Sequence, residues 1–481
     1  MRKKHFISGF IFFITLTLFL SIAPQKTYAE GRKYKVGTDL TFAPFEFQND
    51  KGEYIGIDID LLNAIASNQN FTIDLKPLGF NSSVQAVQSG QVNGMIAGMS
   101  VTEERKKSFD FSDSYFTGGI SMAVRKDNTD IKSYTDLKGK VVAVKTGTVS
   151  SNYVDKIKDK YGFTVKSFDS ADALYDVINV GGADAIFDDY PIIDYSITKG
   201  KPLKRAGDIQ ERCEYAFAVK KGTNKELLHM FNDGLKELKN TGEYDEIINK
   251  YTSTTPTSSN DNPIDESTFV GLIKNNYKAL LSGLEKTLIL TLISFGFAMI
   301  LGIIFGLFSV SPLKPLRMLS AFYVDVVRGI PLLVLAFFIF FGIPNITGKP
   351  MNEYVAGVIT LTLNASAYIA EIVRGGVGAV PIGQMEAARS LGFSYTKTMR
   401  KIVLPQAIKI MIPSFVNQFV ISLKDTTILS AIGLIELLQT SKIIVARTLQ
   451  SSQVYLITAV IYLVIITLLT KLAKVLERRF R

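Results

Sequence analysis

The chain has 481 residues, a formal net charge of +10 and 47% hydrophobic residues. It is too long for a single domain and too apolar for a wholly soluble protein. Its one cysteine, Cys213, excludes an intramolecular disulfide and a cysteine-based metal site, and is predicted to be a buried apolar side chain. With only His5 and His229 as histidines, neither a clustered metal site nor a Ser/His/Asp catalytic set is expected.

The N-terminus has the features of an export signal. Arg2, Lys3 and Lys4 precede an apolar run over residues 6–23, and a small-residue cleavage site follows at residues 27–29. Residues 1–29 are therefore predicted to be a signal peptide. The alternative is a retained membrane anchor, because the apolar run is close to the length that spans a bilayer. Either interpretation places the following residues outside the cytoplasm.

Residues 30–251 alternate short β-like runs with amphipathic helical patterns, which predicts an α/β domain with mostly parallel strands. YKVGTD, FTIDLKPL and VNGMIAGMS are the predicted strands of a first unit. A second unit begins at VVAVKTG and contains predicted helices over residues 150–161 and 171–179. Connections near 118–124 and 215–219 join two lobes. Their cleft is the expected ligand site, because ligands bind at the carboxyl ends of strands in open α/β sheets.

The second half of the chain is predicted to lie in a membrane. Residues 252–275 form a predicted linker, whose first part is rich in Thr, Ser, Pro and Asn without periodicity. An amphipathic lead-in is predicted at residues 276–284. Five apolar blocks of about 20 residues are long enough to span a bilayer. They lie at 284–310, 319–342, 353–374, 408–433 and 453–472 within the predicted membrane domain 276–481.

Basic residues set the orientation of these spans. Lys314, Arg317, Arg389, Lys397 and Arg400 all fall in loops that an external first half would place inside, which agrees with a positive-inside bias. This bias explains much of the net charge, so no nucleic-acid partner is expected.

Near the inner end of the third span, Glu371 and Arg374 are spaced i,i+3. They are predicted to pair with each other or with the loop that follows, as structural anchors rather than substrate ligands.

The polar, basic loop between the third and fourth spans contains the most specific motif. Residues 386–417 read EAARSLGFSYTKTMRKIVLPQAIKIMIPSFVN, with Gly392 where a helix C-cap would lie and Pro405 and Pro413 starting or bending the next helix. This stretch resembles the EAA loop of ABC importer permeases, in its polar amino-acid form. The resemblance implies a coupling helix that docks on a separate ATPase subunit through the 386–404 segment. The coupling residues it implies are Glu386, Ala387, Ala388, Leu391 and Gly392.

A second resemblance covers the first half. DLTFAPFEFQNDKGEYIGIDIDLLNAIA at 39–66 and AGMSVTEERKKSFDFSDSY at 97–115 are similar to the polar amino-acid-binding proteins of ABC importers. The resemblance implies an α/β bilobed periplasmic-binding-protein-like domain of type II, followed by an all-α transmembrane permease domain of about five helices.

The two charged ends of an amino-acid ligand need different partners. Within the second motif, Arg105 is the expected carboxylate ligand, because its planar fork can bind both oxygens. The resemblance places Gly98 and Ser100 along the substrate. Asp189, just past a predicted strand, is the expected partner of the ammonium, with a helix N-cap as its alternative role.

The side chain of the ligand has its own expected partners. The resemblance assigns Phe42 and Phe80 to its methylenes, with core packing as the alternative, and adds Thr148 to the site. Asp39 and Lys145 are expected at its far end, an arrangement suited to an amide. Glutamine-binding relatives often carry a histidine where this chain has Asp188. The acid at this position leaves a cationic ligand such as arginine as an alternative. The predicted substrate-binding residues are Asp39, Phe42, Phe80, Gly98, Ser100, Arg105, Lys145, Thr148, Asp188 and Asp189.

The chain has no G-x-x-x-x-G-K-[ST] phosphate loop, so ATP is expected to be used by a partner subunit and no cofactor of its own is expected. The leading hypothesis is a fused binding protein and permease of a glutamine-type ABC importer in the cell membrane, a homodimer with two ATPase subunits. Glutamate, asparagine and arginine are alternative ligands. A ligand-gated channel would need a filter loop, which is not visible, and a nutrient sensor would need a cytoplasmic signalling domain.

Overall fold

The computed structural model describes residues 32–49, 51–252, 268–448 and 450–480. The predicted signal peptide and most of the predicted linker lie outside the described residues. Two groups of elements follow each other along the chain, an α/β region and a helical region.

The α/β region contains short strands and helices that alternate. In chain order they are β1 (Lys33–Thr38), β2 (Phe47–Gln48), β3 (Tyr54–Ile55), α1 (Ile57–Asn68), β4 (Thr72–Pro77), α2 (Phe80–Gln88), β5 (Gly94–Met95), β6 (Phe109–Phe111), β7 (Phe116–Arg125), β8 (Val141–Lys145), α3 (Val149–Tyr161), β9 (Thr164–Phe168), α4 (Ala171–Asn179), β10 (Ala185–Asp189), α5 (Tyr190–Thr198), β11 (Leu203–Tyr215), β12 (Ala218–Lys220), α6 (Lys225–Thr241) and α7 (Glu243–Thr252). Short 3₁₀ turns occur at Arg105–Lys107 and Tyr134–Leu137.

Two five-stranded sheets form the two lobes. The first has the order β4-β1-β5-β12-β6 and the second the order β11-β7-β10-β8-β9. In each sheet the strands formed from consecutive βα units are parallel, as in β1 with β4 and β8 with β9. The strands that cross between lobes return antiparallel, as in β12 with β6 and β7 with β11. The expectation of mostly parallel strands was therefore wrong: both sheets are mixed.

Local sequence explains where most of these elements begin and end. Helix α1 buries Ile57, Leu61, Leu62 and Ile65, which recur at helical spacing and pack against α6. The predicted helices over 150–161 and 171–179 correspond to α3 and α4. The predicted strand VNGMIAGMS is shorter than expected, however. Only Gly94–Met95 forms a strand, and Gly98 turns the chain with φ +54°.

The helical region begins at Phe269, earlier than predicted. Its elements are α8 (Phe269–Ser309), α9 (Lys314–Gly329), α10 (Leu332–Phe337), α11 (Ile343–Thr347), α12 (Glu353–Gly378), α13 (Ile382–Ser390), α14 (Tyr395–Thr398), α15 (Leu404–Asp425), α16 (Leu437–Thr448) and α17 (Ser451–Phe480), with π turns at Phe338–Gly342 and Met399–Val403 and a 3₁₀ turn at Thr426–Ile432. Because α8 is continuous, residues 269–275 are helical rather than linker, and the predicted lead-in at 276–284 is part of the same helix.

The membrane spans agree with the expectation of about five. Four helical stretches of the described chain are long and apolar enough to cross a bilayer, Phe269–Ser309, Glu353–Gly378, Tyr395–Ile432 and Ser451–Lys471. A fifth candidate is the pair Lys314–Gly329 and Leu332–Thr347, which is bent by 98° at Ile330 and Pro331. Proline at the break removes a backbone donor and favours this bend.

The first lobe packs directly on the helical region. Ser82 of α2 donates a hydrogen bond of 2.7 Å to the carbonyl of Ala431. Gln91 is buried, and its side-chain amide binds the carbonyl of Phe340 and the amide of Met351. Apolar residues from both sides, including Leu78 and Leu434, form one continuous buried cluster. The lobe and the helices therefore share a desolvated interface.

This interface predicts a specific cross-link in membrane vesicles. Ser82→Cys combined with Ala431→Cys should form a disulfide under mild oxidation, because the two positions are in hydrogen-bonding contact. The native Cys213 is buried and should not compete. A matched pair with Ser67→Cys, on the exposed surface of α1, in place of Ser82→Cys should stay uncross-linked. Equal yields for the two pairs would contradict the packing described above.

Candidate functional site

A small cavity lies between the two lobes. It is lined by all of the predicted substrate-binding residues together with two that were not predicted, Ala97 and Val149, so the full lining is Asp39, Phe42, Phe80, Ala97, Gly98, Ser100, Arg105, Lys145, Thr148, Val149, Asp188 and Asp189. Its free volume is about 20 Å³, enough for about one water molecule. An amino acid can therefore enter only after the lobes separate or the lining side chains move.

The strand ends bring these side chains together. Asp39 follows β1, Lys145 ends β8, and Asp188 and Asp189 end β10. Carboxyl ends of neighbouring parallel strands meet at one edge of a sheet, which places ligand-binding residues there. Thr148 caps α3, since its hydroxyl accepts a hydrogen bond from the amide of Ser151.

Asp39 and Lys145 form an ion pair across the cleft. The ammonium of Lys145 lies 2.5 Å from Oδ2 of Asp39, and both side chains are almost completely buried. Oδ1 of Asp39 accepts hydrogen bonds from the amide and the hydroxyl of Thr41. The expectation placed both groups at the end of a ligand side chain; in the structure they also bind each other.

This pairing governs the protonation of both groups. Burial alone would raise the pKa of Asp39, but the charge of Lys145 and hydrogen bonds from Lys145 and Thr41 outweigh it, so the pKa lies below its ordinary value. Burial alone would lower the pKa of Lys145, but Asp39 raises it above its ordinary value. The pair therefore carries one positive and one negative charge near neutral pH.

Arg105, in the first lobe, donates hydrogen bonds to both lobes. One guanidinium nitrogen donates to the carbonyl of Ser100 at 2.8 Å, and another reaches the second lobe at the carbonyl of Gly147 at 3.1 Å. The guanidinium also lies 5.2 Å from the ring centre of Phe80. Burial lowers the pKa of Arg105 from its ordinary value, but guanidinium stays charged in proteins.

Asp188 and Asp189 form the acidic side of the cavity. Tyr175 donates to Asp188 at 3.1 Å, and Tyr215 donates to Oδ2 of Asp189. Burial raises the pKa of Asp188 to about 6 and, with the neighbouring Asp188 charge, raises the pKa of Asp189 to about 7. Sequence reasoning missed both tyrosines, because they lie 13 and 26 residues away from the aspartates that they contact, on α4 and β11.

The aromatic side chains cover the cation of the ion pair. The ammonium of Lys145 lies 5.5 Å from the ring centre of Phe42 and 5.8 Å from that of Phe80.

Asn81, next to Phe80, donates to the carbonyl of Thr146 in the second lobe at 3.2 Å. Asn81 was not predicted, and no motif in its neighbourhood signals a role in closing the cleft.

The predicted coupling loop contains a short helix, α13, at the end of the helical region that lies away from the first lobe. Helix α13 ends at Ser390, and Gly392 has φ +80°, as expected for a residue just past a helix C-terminus. Leu391 and Ile382 are 79% and 76% exposed. Ala388 is only 3% exposed, so its small side chain packs against other residues of this chain.

Glu371 and Arg374 do pair with each other. Two guanidinium nitrogens of Arg374 lie 3.0 and 2.7 Å from the carboxylate of Glu371. Arg328 lies 3.7 Å from the same carboxylate.

Within the described residues, no group of three or more His, Cys, Asp or Glu side chains could hold a metal ion.

Comparisons with known proteins identify the family. Residues 34–254 match the bacterial extracellular solute-binding proteins, family 3, and residues 298–481 match the inner membrane component of binding-protein-dependent transport systems. The probable glutamine ABC transporter permease protein GlnM of Bacillus subtilis (strain 168) is 37% identical over 210 residues, which are 44% of this chain and 97% of that protein. The chain belongs to the family of amino-acid ABC importers.

Two further relatives are similar to parts of the chain. The arginine transport system permease protein ArtQ of Bacillus subtilis (strain 168) is 35% identical over 202 residues, 42% of this chain and 92% of that protein. The second substrate binding domain of a putative amino acid ABC transporter from Streptococcus pneumoniae Canada MDR_19A is 46% identical, with a TM-score of 0.37, over 46% of this chain and 100% of that domain.

The two family matches confirm the predicted fold class and the predicted fusion of a binding domain with a permease domain. Nothing in these relatives favours a channel or a sensor. Membership of the importer family implies an amino-acid ligand and an ATPase partner.

Arg105 provides a direct test of the cleft. Arg105→Ala in the full chain, held in lipid nanodiscs, should weaken amino-acid binding by roughly 30-fold or more, because a buried ligand carboxylate would lose its charged partner. Lys106→Ala is the matched control. Lys106 is half exposed and pairs with Glu103, so its removal should change affinity by less than about twofold. Titration calorimetry would contradict the assignment if the two variants bound equally well.

Proposed function

We propose that this importer captures glutamine outside the cell and passes it through its own membrane domain. The observation that carries the proposal is the buried ion pair of Asp39 and Lys145. An amide can accept from the ammonium through its C=O and donate to the carboxylate through its N–H₂. The pair is neutral overall, so it favours a neutral polar side chain over a charged one.

The other charged side chains of the cavity suit the carboxylate and the ammonium of an amino acid. Arg105 can bind the ligand carboxylate with two parallel hydrogen bonds, and Asp189 can accept from the ammonium. A bound ammonium favours the ionised form of Asp189, whose pKa burial otherwise raises. Together with the neutral Asp39–Lys145 pair, this gives a site of zero net charge for a zwitterion while Asp188 is protonated, which requires a pH below its pKa of about 6.

Asp188 decides between glutamine and arginine. When protonated, it adds no charge and the site suits glutamine; when ionised, it adds a negative charge that would attract an arginine guanidinium. Named relatives support both ligands, since one is a probable glutamine permease and another an arginine permease. Glutamate is disfavoured, because its side-chain carboxylate would face Asp39.

This argument predicts a pH-dependent preference. The pKa of Asp188 is raised to about 6, so its negative charge appears as pH rises through that value. The affinity ratio of arginine to glutamine should therefore increase by about threefold or more from pH 5 to pH 8. Asp189 faces the ammonium of both ligands, so its titration should largely cancel in this ratio.

Calorimetry on the full chain in nanodiscs would measure the ratio. Asp188→Asn should make it nearly independent of pH and leave glutamine binding within about threefold of wild type. Asp155→Asn, which removes an exposed acid paired with Lys158 on α3, should leave the pH dependence intact. Tighter binding of arginine than of glutamine at every pH would refute the proposed ligand.

The proposed assembly is a homodimer with two ATPase subunits. Arg328, Glu371 and Arg374 are partly exposed on a single copy, with side-chain exposures of 43%, 30% and 55%. Charged groups beside a membrane span are costly against lipid, which supports a second copy covering them. The chain itself is proposed to hydrolyse no ATP, and the binding domain is proposed to face outward with the loop around α13 in the cytoplasm.

The surface of α13 is the proposed ATPase contact. Leu391 and Ile382 form exposed apolar positions on either end of the helix. A docking helix places such side chains in a groove of its partner, where their burial stabilises the complex.

Leu391→Glu should therefore abolish most ligand-stimulated ATP hydrolysis by the complex reconstituted with its ATPase. Ligand binding outside should stay within about twofold of wild type, because the cleft lies at the other end of the molecule. Leu313→Glu is the matched control, because Leu313 is 60% exposed and lies between α8 and α9, outside the 386–404 segment; it should leave the stimulation largely intact. Normal stimulation in Leu391→Glu would place the docking surface elsewhere.

A further inference from the structure

Two carboxyl groups that the ligand site does not use lie directly behind it. Asp58 on α1 and Glu46, just before β2, are both 0% exposed. Oδ2 of Asp58 accepts hydrogen bonds of 2.9 Å from the amide of Gly98 and from the hydroxyl of Tyr115. Three of their oxygens receive no hydrogen bond from the described residues: both side-chain oxygens of Glu46 and Oδ1 of Asp58.

The two carboxyl groups belong to neighbouring segments, because the amide of Asp58 donates a hydrogen bond of 2.9 Å to the carbonyl of Phe45, the residue before Glu46. Two negative charges on such neighbouring segments in a dry interior would repel strongly, so one proton is expected to remain on the pair. Burial, followed by the charge of Asp58, raises the pKa of Glu46 well above its ordinary value. Tyr115, Asp39 and Lys145 are the other titratable groups that face the pair.

A proton on Glu46 would give a partner to two of the three oxygens that lack one. It would be donated to Oδ1 of Asp58, while Oδ2 keeps the hydrogen bonds from Gly98 and Tyr115. The pair would then carry one negative charge, held by three donors. Such an arrangement leaves no unsatisfied donor in the core.

The pair connects the two loops that form the first-lobe wall of the cleft. Glu46 is bonded backbone to backbone with Phe42 in both directions, at 3.1 and 3.2 Å. Gly98 leads to Ser100, whose carbonyl holds Arg105. The loops touch at Gly98, where a Cβ atom would lie 2.4 Å from the ring of Phe42. Glu46 and Asp58 thus tie the Phe42 loop to the segment that supports Arg105.

We propose that Asp58 is a positioning residue for the ligand cleft, and that one proton shared with Glu46 holds the Phe42 loop against the Gly98 segment. This inference rests on the proposed function, since it assumes that the cleft binds an amino acid. Asp58 acts through Gly98 and does not touch the ligand itself.

The first test replaces Asp58 in the full chain in nanodiscs. Asp58→Ala should weaken glutamine binding by about tenfold or more, because the buried amide of Gly98 loses its acceptor. Asp58→Asn should restore binding to within about threefold of wild type, since its oxygen can accept from Gly98 while its amide donates to Glu46. Asp60→Asn, two residues along α1 and paired at the surface with Lys250, should have no effect.

The second test replaces Glu46 by glutamine, which carries fixed N–H donors and cannot lose a proton. Glu46 is protonated in the folded chain and ionised in the unfolded chain at pH 7, so wild-type stability is present at low pH and lost as pH rises above about 4.5. The Tm of Glu46→Gln, followed by near-UV circular dichroism, should therefore exceed that of wild type by a margin that grows from pH 5 to pH 8. The affinity of Glu46→Gln for the ligand glutamine should also vary less with pH, between pH 6 and pH 8.5, than the affinity of wild type.

These outcomes separate the two proposals. If wild type binds no amino acid, the proposed function fails whatever the variants do. If wild type binds glutamine but Asp58→Ala binds equally well, Asp58 is not a positioning residue. If the Tm difference between Glu46→Gln and wild type is the same at every pH, the two carboxyl groups do not share a proton in the folded chain.

Discussion

The ion pair of Asp39 and Lys145 is the constraint on which the rest of the binding domain depends. It joins the end of β1 in the first lobe to the end of β8 in the second, and both charges are buried. A buried charge without a partner costs several kcal/mol, so the closed arrangement of the lobes and the pairing of these two groups stabilise each other. A ligand with an amide can insert into this pair without changing its total charge.

The first turn of α2 places three different contacts on consecutive residues. Phe80 faces the cavity, Asn81 reaches the carbonyl of Thr146 across the cleft, and Ser82 reaches Ala431 in the permease domain. The contact across the cleft exists only when the lobes are together. The permease domain therefore contacts the same helical turn that reaches across the cleft. This geometry offers a short physical route between the cleft and the membrane helices.

The residues that motifs predicted for the site line a single cavity, because they follow strand ends and lie in contiguous stretches such as AGMSVTEER. Helix boundaries also followed local signals, as in α4 with its amphipathic pattern. Contacts between distant segments were not predictable in this way. Tyr215 reaches Asp189 from β11, and the antiparallel return of the crossing strands has no local signature. The burial of Ala388 likewise depends on the helices packed around α13.

Helix α8 has consequences for how binding and transport are linked. Its 41 residues rise by about 1.5 Å each and so extend to roughly 60 Å, about twice the thickness of a bilayer core. Near its start, Asn276 accepts a hydrogen bond from Arg447, which ties this part of the helix to α16. The binding domain is covalently joined to this long helix, so each permease domain has its own docking partner at a fixed effective concentration. Docking is then a unimolecular equilibrium, and the docked fraction does not change with the amount of transporter in the membrane.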